Sequence, residues 1–261
     1  MPQPLYPPAR PQSIGEVLDS GFAIFRRSLW SCLPYGFLGV IAYQLPHVHD
    51  LLAGRPFREF ARHDPIWWVD YALGLLISML FFAAMLLRQR ALAAGEPVAA
   101  SGELRIAVQR LPWLTILLLL ATIGLVIATL MLIIPGLYLG VAWLFAMPAL
   151  VLEELGPIEA LAYSHGLVWG HWWRTSLIFN VVFAVLIALY ASLGVAIGVA
   201  VAFTGVADLA VVTAVSAAAS AVISTVATPF LSALLLAAYG ELRVRREGLD
   251  LERRAAAALA S

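Results

Sequence analysis

Runs of uncharged, mostly apolar residues alternate with short charged segments along this chain. An α-helix needs about 20 residues to cross a bilayer, and six runs of 16 to 31 residues are candidates for such spans. The predicted spans cover residues 28–46, 66–87, 111–134, 137–152, 175–203 and 209–239. The pattern therefore predicts an all-α integral membrane protein, a bundle of six transmembrane helices within a membrane domain of residues 13–240.

One uncharged stretch, residues 111–152, is too long for a single span, so a break is needed within it. Pro135 lacks the amide hydrogen that a helix interior requires, and Gly136 tolerates turn conformations. We predict that these two residues form a short hairpin between the third and fourth spans. Pro148 and Pro229 are each expected to kink the span that contains them.

Residues 13–27 have the pattern of an amphipathic helix that lies in the membrane interface. Ser13 and Glu16 have the spacing of a capping box, in which each side chain pairs with the other residue's backbone amide. Apolar residues then recur on one helical face. We expect these residues to form a separate interfacial helix, after a Pro-rich tail of residues 1–12.

Residues 157–173 predict a second interfacial helix, with proline at its first position. At helical spacing, Trp169, Trp172 and Trp173 share one face of it. Tryptophan is stabilised at head-group depth, where its ring is in an apolar environment and its N–H stays hydrated. We therefore expect this helix to lie along the cytoplasmic interface, with the three rings toward the bilayer or the bundle.

The distribution of arginine predicts the orientation, because cytoplasmic loops carry an excess of basic residues. All 16 basic residues are arginine, and an inside N-terminus leaves only Arg55, Arg58 and Arg62 on the outside. Both termini are thus expected in the cytoplasm of a bacterial-type inner membrane. Residues 241–261 are expected to form a basic cytoplasmic tail.

Composition agrees with a membrane protein and narrows the function classes. The 261 residues are 62% hydrophobic and 12% charged, with a mean hydropathy of +0.90, far from the values of soluble domains. The formal net charge is zero, which gives no electrostatic reason to expect nucleic acid as a partner. With most of the chain in apolar runs, no separate soluble catalytic domain is expected.

No nucleophile, metal or phosphate motif with the required spacing is present in the sequence. We therefore predict no enzyme activity, no catalytic residues, no cofactor and no metal. The ligand types in one predicted outer loop have no spacing that fixes a site, and a hydrated polar loop is the simpler interpretation. These residues are His47, His49, Asp50, His63 and Asp64.

Two polar residues within or near the apolar runs are candidate functional residues. Asp70 lies about four residues into the second span, at head-group depth, and ionisable groups in a membrane are functional candidates. Asn180 lies in the fifth span, where an interhelical hydrogen bond is the more common role.

A stripe of hydroxyl residues at four-residue spacing runs along the sixth span and includes Ser220, Ser224 and Thr228. The fifth span has small residues at similar spacing: Ala191, Gly194, Gly198 and Ala202. Small residues let helix backbones approach closely, so the stripe predicts packing between these two spans. The alternative is that the hydroxyls line a polar pathway.

Several motifs resemble the glycerophosphoryl diester phosphodiesterase membrane-domain family. They are Arg10-Pro-Gln-Ser-Ile-Gly-Glu-Val-Leu-Asp19, Phe22, Arg26-Arg27, Ile134-Pro-Gly-Leu-Tyr138, Pro148-Ala-Leu-Val-Leu-Glu153, Gly156-Pro157, Ala160-Leu161, Ser164, Gly170-His-Trp-Trp-Arg-Thr175 and Leu242-Arg-Val-Arg-Arg-Glu-Gly248. The resemblance implies the fold and the membrane location, and it implies no hydrolase, because the sequence does not encode the catalytic barrel. The helix after Gly156-Pro157 departs from the family in having few basic residues.

These observations favour a non-enzymatic inner-membrane module that acts as a lipid-interacting or partner-binding scaffold. Membrane lipids and a membrane or cytoplasmic protein are the expected partners. The alternative is a small-molecule or lipid transporter with a hydroxyl-lined path in the last two spans. A cavity bordered by Ser220, Ser224, Thr228 and Asn180 would favour transport, whereas a dry contact there would favour packing.

Overall fold

A computed structural model describes residues 5–52, 65–204 and 209–260 of the chain. These residues form nine helices and no strand. The helices are α1 (Ile14–Tyr43), α2 (Leu45–Leu52), α3 (Pro65–Ala94), α4 (Ala100–Met131), α5 (Ile133–Ala142), α6 (Ala146–Leu152), α7 (Pro157–Val168), α8 (Trp172–Thr204) and α9 (Leu209–Ala260).

Five helical segments within the described ranges are long and apolar enough to cross a membrane. They are Pro65–Ala94, Ala100–Met131, Ile133–Leu152, Trp172–Thr204 and Val211–Arg246, and they overlap the second to sixth predicted spans. The described residues are therefore all-helical, and the protein is a multi-pass membrane protein. The first predicted span, 28–46, lies mostly in α1, which is not among the five; its Ser, Gly, Tyr and Pro residues make it less apolar.

Three predicted helix boundaries differ from the structure. Residues 13–27 are not a separate interfacial helix, because α1 continues without a break through the first predicted span. Similarly, α4 begins at Ala100, eleven residues before the predicted third span. Residues 241–261 do not begin as a free tail: α9 continues to Ala260, and Glu241 and Leu242 are buried. In each case polar residues near a span extend its helix instead of ending it.

The capping box that opens α1 is confirmed. The amide of Glu16 donates to Ser13 Oγ at 3.3 Å, and the amide of Ser13 donates to Glu16 Oε2 at 2.6 Å. These bonds pair two of the backbone N–H groups that have no partner inside the helix.

The break in the long apolar stretch comes earlier than predicted, at Leu132, whose backbone is extended. Pro135 lies in the first turn of α5, where a missing amide hydrogen has little cost. A second break, at residues 143–145, separates α5 from α6. Ser164 stabilises it from α7, because its hydroxyl donates to Ala142 O at 2.7 Å and accepts from the amide of Phe145 at 3.1 Å.

The predicted interfacial helix 157–173 is wrong at its C-terminal end. The helix α7 stops at Val168, and Gly170 adopts a φ of +83°, which favours glycine. Trp172 and Trp173 therefore begin α8 and do not share a face of α7 with Trp169. The buried residues of α7 are Pro157, Ala160, Ser164, Leu167 and Val168.

Helix α1 packs against both α3 and α9 and is antiparallel to both. Its close approach to α9 requires Gly36, because a Cβ there would lie 2.7 Å from the carbonyl oxygen of Thr225. That carbonyl has no helical N–H partner, because Pro229 is four residues further along. We call the end of the bundle near Tyr43 the upper end and the end near Ile14 the lower end.

Candidate functional site

A cavity of about 520 Å³ lies between α1, α3, α6 and α9 in the upper half of the bundle. It extends from fully buried Met85 to Tyr43, which is 49% exposed, so it is closed below and opens toward the upper end. The lining residues are Tyr35, Gly36, Gly39, Val40, Tyr43, Gln44, Ser78, Met79, Phe82, Met85, Met147, Ser220, Ser224 and Thr228.

Small side chains explain why the cavity exists. Gly39 of α1 faces Ser78 and Phe81 of α3. On the opposite wall, Ser220 and Ser224 of α9 are too short to fill the space between the helices. The helix backbones therefore come into contact at some of these small residues. Elsewhere the short side chains leave the space between the helices unfilled.

The hydroxyl groups in the deep part of the cavity are bonded to the protein itself. Ser224 Oγ donates to Ser220 O at 2.8 Å, and Thr228 Oγ1 donates to Ser224 O at 2.7 Å. Ser78 Oγ donates to Gly39 O at 2.6 Å. Because these hydroxyl hydrogens already have acceptors, the deep wall presents mainly an apolar surface to any occupant.

A buried ion pair lies behind the deep end of the cavity. The hydroxyl of Tyr35 donates to Glu103 Oε2 at 3.0 Å, and Arg88 Nε donates to the same oxygen at 2.8 Å. The Arg88 guanidinium also lies 5.0 Å from the centre of the Tyr35 ring and donates to Ser31 O at 3.2 Å. These contacts hold Tyr35 in place as the floor of the cavity.

A second cavity, of about 510 Å³, continues toward the upper end between α1, α2 and α9. It shares Gln44 and Ser220 with the first cavity, and we call these two residues the joint. Its lining is more polar, with His47 and Asp50 from α2 and Ser216 from α9. The two cavities together follow α9 from Thr213 to Thr228, a distance of about 22 Å at 1.5 Å per residue.

The hydroxyl stripe does not pack against the small residues of the fifth span as predicted, although α8 reaches the stripe through Tyr190, whose hydroxyl lies 2.6 Å from Ser224 Oγ. A Cβ on Gly194 or Gly198 of α8 would meet no atom within 4 Å, and the upper part of α8 is exposed. Instead, α9 packs along α1, because Gly36 allows the closer approach. The hydroxyl residues Ser220, Ser224 and Thr228 line the cavity, as the alternative interpretation expected.

Asn180 does not border the cavity and makes no interhelical bond. It is exposed, and its side-chain amide donates to Ser176 O at 2.8 Å and Ser176 Oγ at 3.0 Å, within α8. Asp70 lies near the upper end of α3, where its carboxylate is 3.0 Å from His49 Nδ1 of α2. This contact gives Asp70 a role in joining α2 to α3. His63 and Asp64 lie outside the described residues.

The three tryptophans have different environments. Trp169 and Trp173 are 68% and 81% exposed, whereas Trp172 is half-buried. The Trp172 ring stacks on Tyr138 with the ring centres 6.0 Å apart, and its Nε1 donates to Tyr138 O at 3.0 Å. Tyr138 in turn pairs with His165 Nε2 at 3.1 Å. Trp172 therefore joins α8 to α5. The two mostly exposed rings contact one neighbouring ring each, Trp169 beside His165 with centres 5.4 Å apart and Trp173 edge-on to Trp172 with centres 4.8 Å apart.

A polar cluster at the lower end, which sequence reasoning missed, holds the N-terminal segment against the bundle. The carboxylate of Glu241 accepts from Arg245 at 2.6 Å and from Arg174 at 3.3 Å, and both arginines donate to Gln12 O. Tyr6 packs nearby against Gly240, and burial raises the pKa of Tyr6 to about 12. The phenol is thus neutral at ordinary pH.

Sequence reasoning also missed Gln44, Arg88 and Glu103. The sequence shows only where two of these residues lie relative to the apolar runs. Arg88 directly follows the second run, and Gln44 is near the end of the first. Neither position indicates that these side chains turn inward, since polar residues at span ends usually reach the membrane surface.

Comparison with known proteins identifies a family without a known activity. No curated protein and no solved structure matches the chain. One family model, described as Domain of unknown function (DUF7847), matches residues 63–242. This match covers α3 to the buried part of α9, including one wall of each cavity, and more than half of the 261 residues. The chain therefore belongs to the DUF7847 family.

Proposed function

We propose that this protein is a non-enzymatic membrane module that binds a lipid chain inside its helical bundle. The observation that carries the proposal is the cavity of about 520 Å³ between α1, α3, α6 and α9. Cavities of 300–1,000 Å³ with mainly apolar walls and a few polar groups are typical of ligand sites. The surrounding membrane supplies lipid as the nearest ligand at high concentration.

The chemistry of the cavity wall supports a lipid chain over a polar solute. A polar solute would need hydrogen-bond donors, but Ser78, Ser224 and Thr228 already donate to backbone carbonyls. Methionine and phenylalanine side chains of α3 and α6 also line the cavity, and methionine adapts well to flexible apolar ligands.

Native mass spectrometry of the protein released from membranes tests this proposal. The wild-type protein is expected to retain bound lipid. Val40→Trp fills the cavity and is expected to lose it, whereas Ile41→Trp, on the adjacent residue that is 46% exposed, is expected to retain it. Equal lipid retention by both variants would contradict the proposal.

We further propose six spans, with both termini and the arginine-rich lower end in the cytoplasm of a bacterial-type inner membrane. The antiparallel packing of α1 against α3 and α9 supports a membrane role for α1, because its neighbours are spanning helices by length and composition. Thirteen of 16 arginines are at the lower end under this topology. Terminal fluorescent tags test it, and a fluorescent signal from outside would contradict it.

The relation to the glycerophosphoryl diester phosphodiesterase membrane domains is proposed on the motifs alone. Support comes from their positions at helix boundaries, where sequence constrains local geometry: Gly156-Pro157 opens α7, and Gly170 stands between α7 and α8. A solved structure of such a domain with a different helix order would contradict the relation.

Transport is a second candidate, because the two cavities adjoin and Ser220, Ser224 and Thr228 face them. Vesicles of phosphatidylcholine and phosphatidylglycerol that contain a fluorescent phosphatidylcholine test it. A transporter is expected to increase the fraction of fluorescent lipid that dithionite bleaches, and Val40→Trp is expected to reduce that fraction. Bleaching equal to that of protein-free vesicles would favour binding without transport.

A further inference from the structure

The two cavities differ in chemistry and meet at Gln44 and Ser220. Below this joint, the hydroxyls of Ser78, Ser224 and Thr228 donate to backbone carbonyls. At the joint, Ser220 Oγ has no hydrogen-bond partner among the described residues, and the Gln44 amide has only a long bond, 3.4 Å, to Ala217 O. Available hydrogen-bonding groups are therefore concentrated where the apolar cavity ends.

We propose that the two cavities form one site for a single-chain amphiphile with an uncharged, hydrogen-bonding head, such as a monoacylglycerol. The alkyl chain occupies the lower cavity, and the ester or hydroxyl groups bind at Gln44 and Ser220. The head then extends into the upper cavity. This inference rests on the proposed lipid-binding function and adds the class of lipid and the residues that select it.

The size of the lower cavity indicates one chain. An engineered cavity of about 150 Å³ holds one benzene molecule, which has six carbon atoms. At that ratio, the lower cavity of about 520 Å³ has room for on the order of 20 carbon atoms. That is one acyl chain, so a two-chain phospholipid would leave its second chain outside.

The charges around the joint indicate an uncharged head. Gln44 and Ser220, the two residues that the cavities share, both have neutral side chains. A carboxylate or ammonium head would give up its hydration shell at the joint for two neutral partners. An ester or hydroxyl head instead accepts from the Gln44 amide and the Ser220 hydroxyl without losing a charged hydration shell.

Three probes with the same chain length test the proposal on purified protein by native mass spectrometry: monopalmitoylglycerol, palmitate and hexadecylamine. Wild type is expected to bind monopalmitoylglycerol at least about tenfold more tightly than the two charged probes. Gln44→Leu and Ser220→Ala are each expected to weaken it about fivefold, the scale of one hydrogen bond. Binding of the charged probes is expected to change less than about twofold.

Matched controls replace the same residue types away from the cavities. Gln109→Leu on exposed α4 surface and Ser192→Ala on exposed α8 surface are expected to bind like wild type. Gln44→Glu, which keeps the side-chain shape, is expected to shift preference toward hexadecylamine, and this gain serves as the readout if Gln44→Leu does not fold.

The outcomes separate the two proposals. If Val40→Trp abolishes binding of every probe but Gln44 and Ser220 variants bind all three as wild type does, lipid binding stands and the joint has no role in selection. If wild type prefers palmitate, the uncharged-head assignment is wrong. If Val40→Trp changes nothing, the cavity is not the lipid site and both proposals fail.

Discussion

The side-chain amide of Gln89 donates to the backbone carbonyl of Pro229 at 2.8 Å, across 140 residues of sequence. The same nitrogen is 3.3 Å from Ser28 Oγ, and all three residues are buried. One side chain of α3 thus joins α1 and α9 directly below the cavity. Gly36 and Thr225 bring the same two helices together higher up, about two turns above Ser28 on α1 and about one turn above Pro229 on α9.

We predict that Gln89→Leu lowers the stability of the bundle by about 1 kcal/mol, because hydrogen bonds between membrane helices contribute on this scale. The apparent Tm in detergent measures the effect. Gln109→Leu, at an exposed position, serves as the control and should leave Tm unchanged. Equal Tm values for both variants would show that the bond to Pro229 contributes nothing.

Removing one member of the Arg88–Glu103 ion pair is expected to destabilise the protein more than removing both members. The side chains are only 14% and 9% exposed, so Glu103→Leu leaves a buried guanidinium without its carboxylate, at a cost of about 3–5 kcal/mol. The double variant Arg88→Leu, Glu103→Leu should recover most of the lost Tm. Arg105→Leu, at an exposed position on the same helix, is the control, and a double variant no more stable than Glu103→Leu would refute the argument.

Gly36→Ala should destabilise the contact between α1 and α9 by about 1–3 kcal/mol, the usual cost of overpacking. The new Cβ would lie 2.7 Å from Thr225 O, a backbone atom that can move only with α9. Gly198→Ala meets no atom within 4 Å and should slightly raise Tm through helix propensity. Thermal unfolding of the two variants side by side tests the prediction, and a fall in Tm for both would point to a cause other than this contact.

The two adjacent tryptophans at the start of α8 should respond differently to alanine. Trp172→Ala loses the stacking on Tyr138 and the bond to its carbonyl, and we expect a loss of about 2 kcal/mol. Trp173→Ala removes a ring that is 81% exposed and should change stability by less than about 0.5 kcal/mol. The Tm values of the two variants test this prediction. A similar fall in Tm for both would mean that α8 does not dock through Trp172.

The capping box of α1 should weaken at low pH. The Ser13 backbone amide, then the Ser13 hydroxyl and Arg10, lower the pKa of Glu16 from 4.5 to about 2. Because the folded-state pKa is depressed, the stabilisation is present above pH 4.5 and is lost as pH falls toward 2. NMR titration of the Glu16 carboxyl measures the shift.

Two variants of Ser13 separate the contributions of its hydroxyl and its backbone amide to the Glu16 pKa. Ser13→Ala removes only the hydroxyl and should raise the Glu16 pKa part of the way. Ser13→Pro fits the φ of −70° and also removes the amide hydrogen, so it should raise the pKa further. The same Glu16 pKa in wild type and both variants would mean that Ser13 does not cause the shift.

Local features of the chain were predictable because local interactions and solvation set them. Apolar runs of spanning length must form helices in a bilayer, where every backbone polar group needs an internal partner. The pairing of Ser13 with Glu16 and the start of α7 at Pro157 depend on residues a few positions apart. These were read correctly from the sequence.

Helix continuity was less predictable, because a charged or polar residue near a span does not by itself end a helix. Residues 13–27 join α1, and α9 continues past residue 240, since tertiary contacts around Gln12 and Glu241 hold both segments against the bundle. The break after Val168 depends on the conformation of Gly170, for which the tryptophan spacing gave no sign.

Ser220, Ser224 and Thr228 could either pack against another helix or line a cavity. Which of the two occurs depends on the helix that lies opposite them. Small residues at four-residue spacing permit close packing with any suitable neighbour, and the sequence analysis paired the stripe with the small residues of the fifth span, in α8. Gly36 and the carbonyl left free by Pro229 bring α1 against α9, while a Cβ on Gly194 or Gly198 of α8 would meet no atom within 4 Å. Because helix pairing depends on contacts between residues far apart in sequence, the hydroxyl stripe alone could not reveal the cavity.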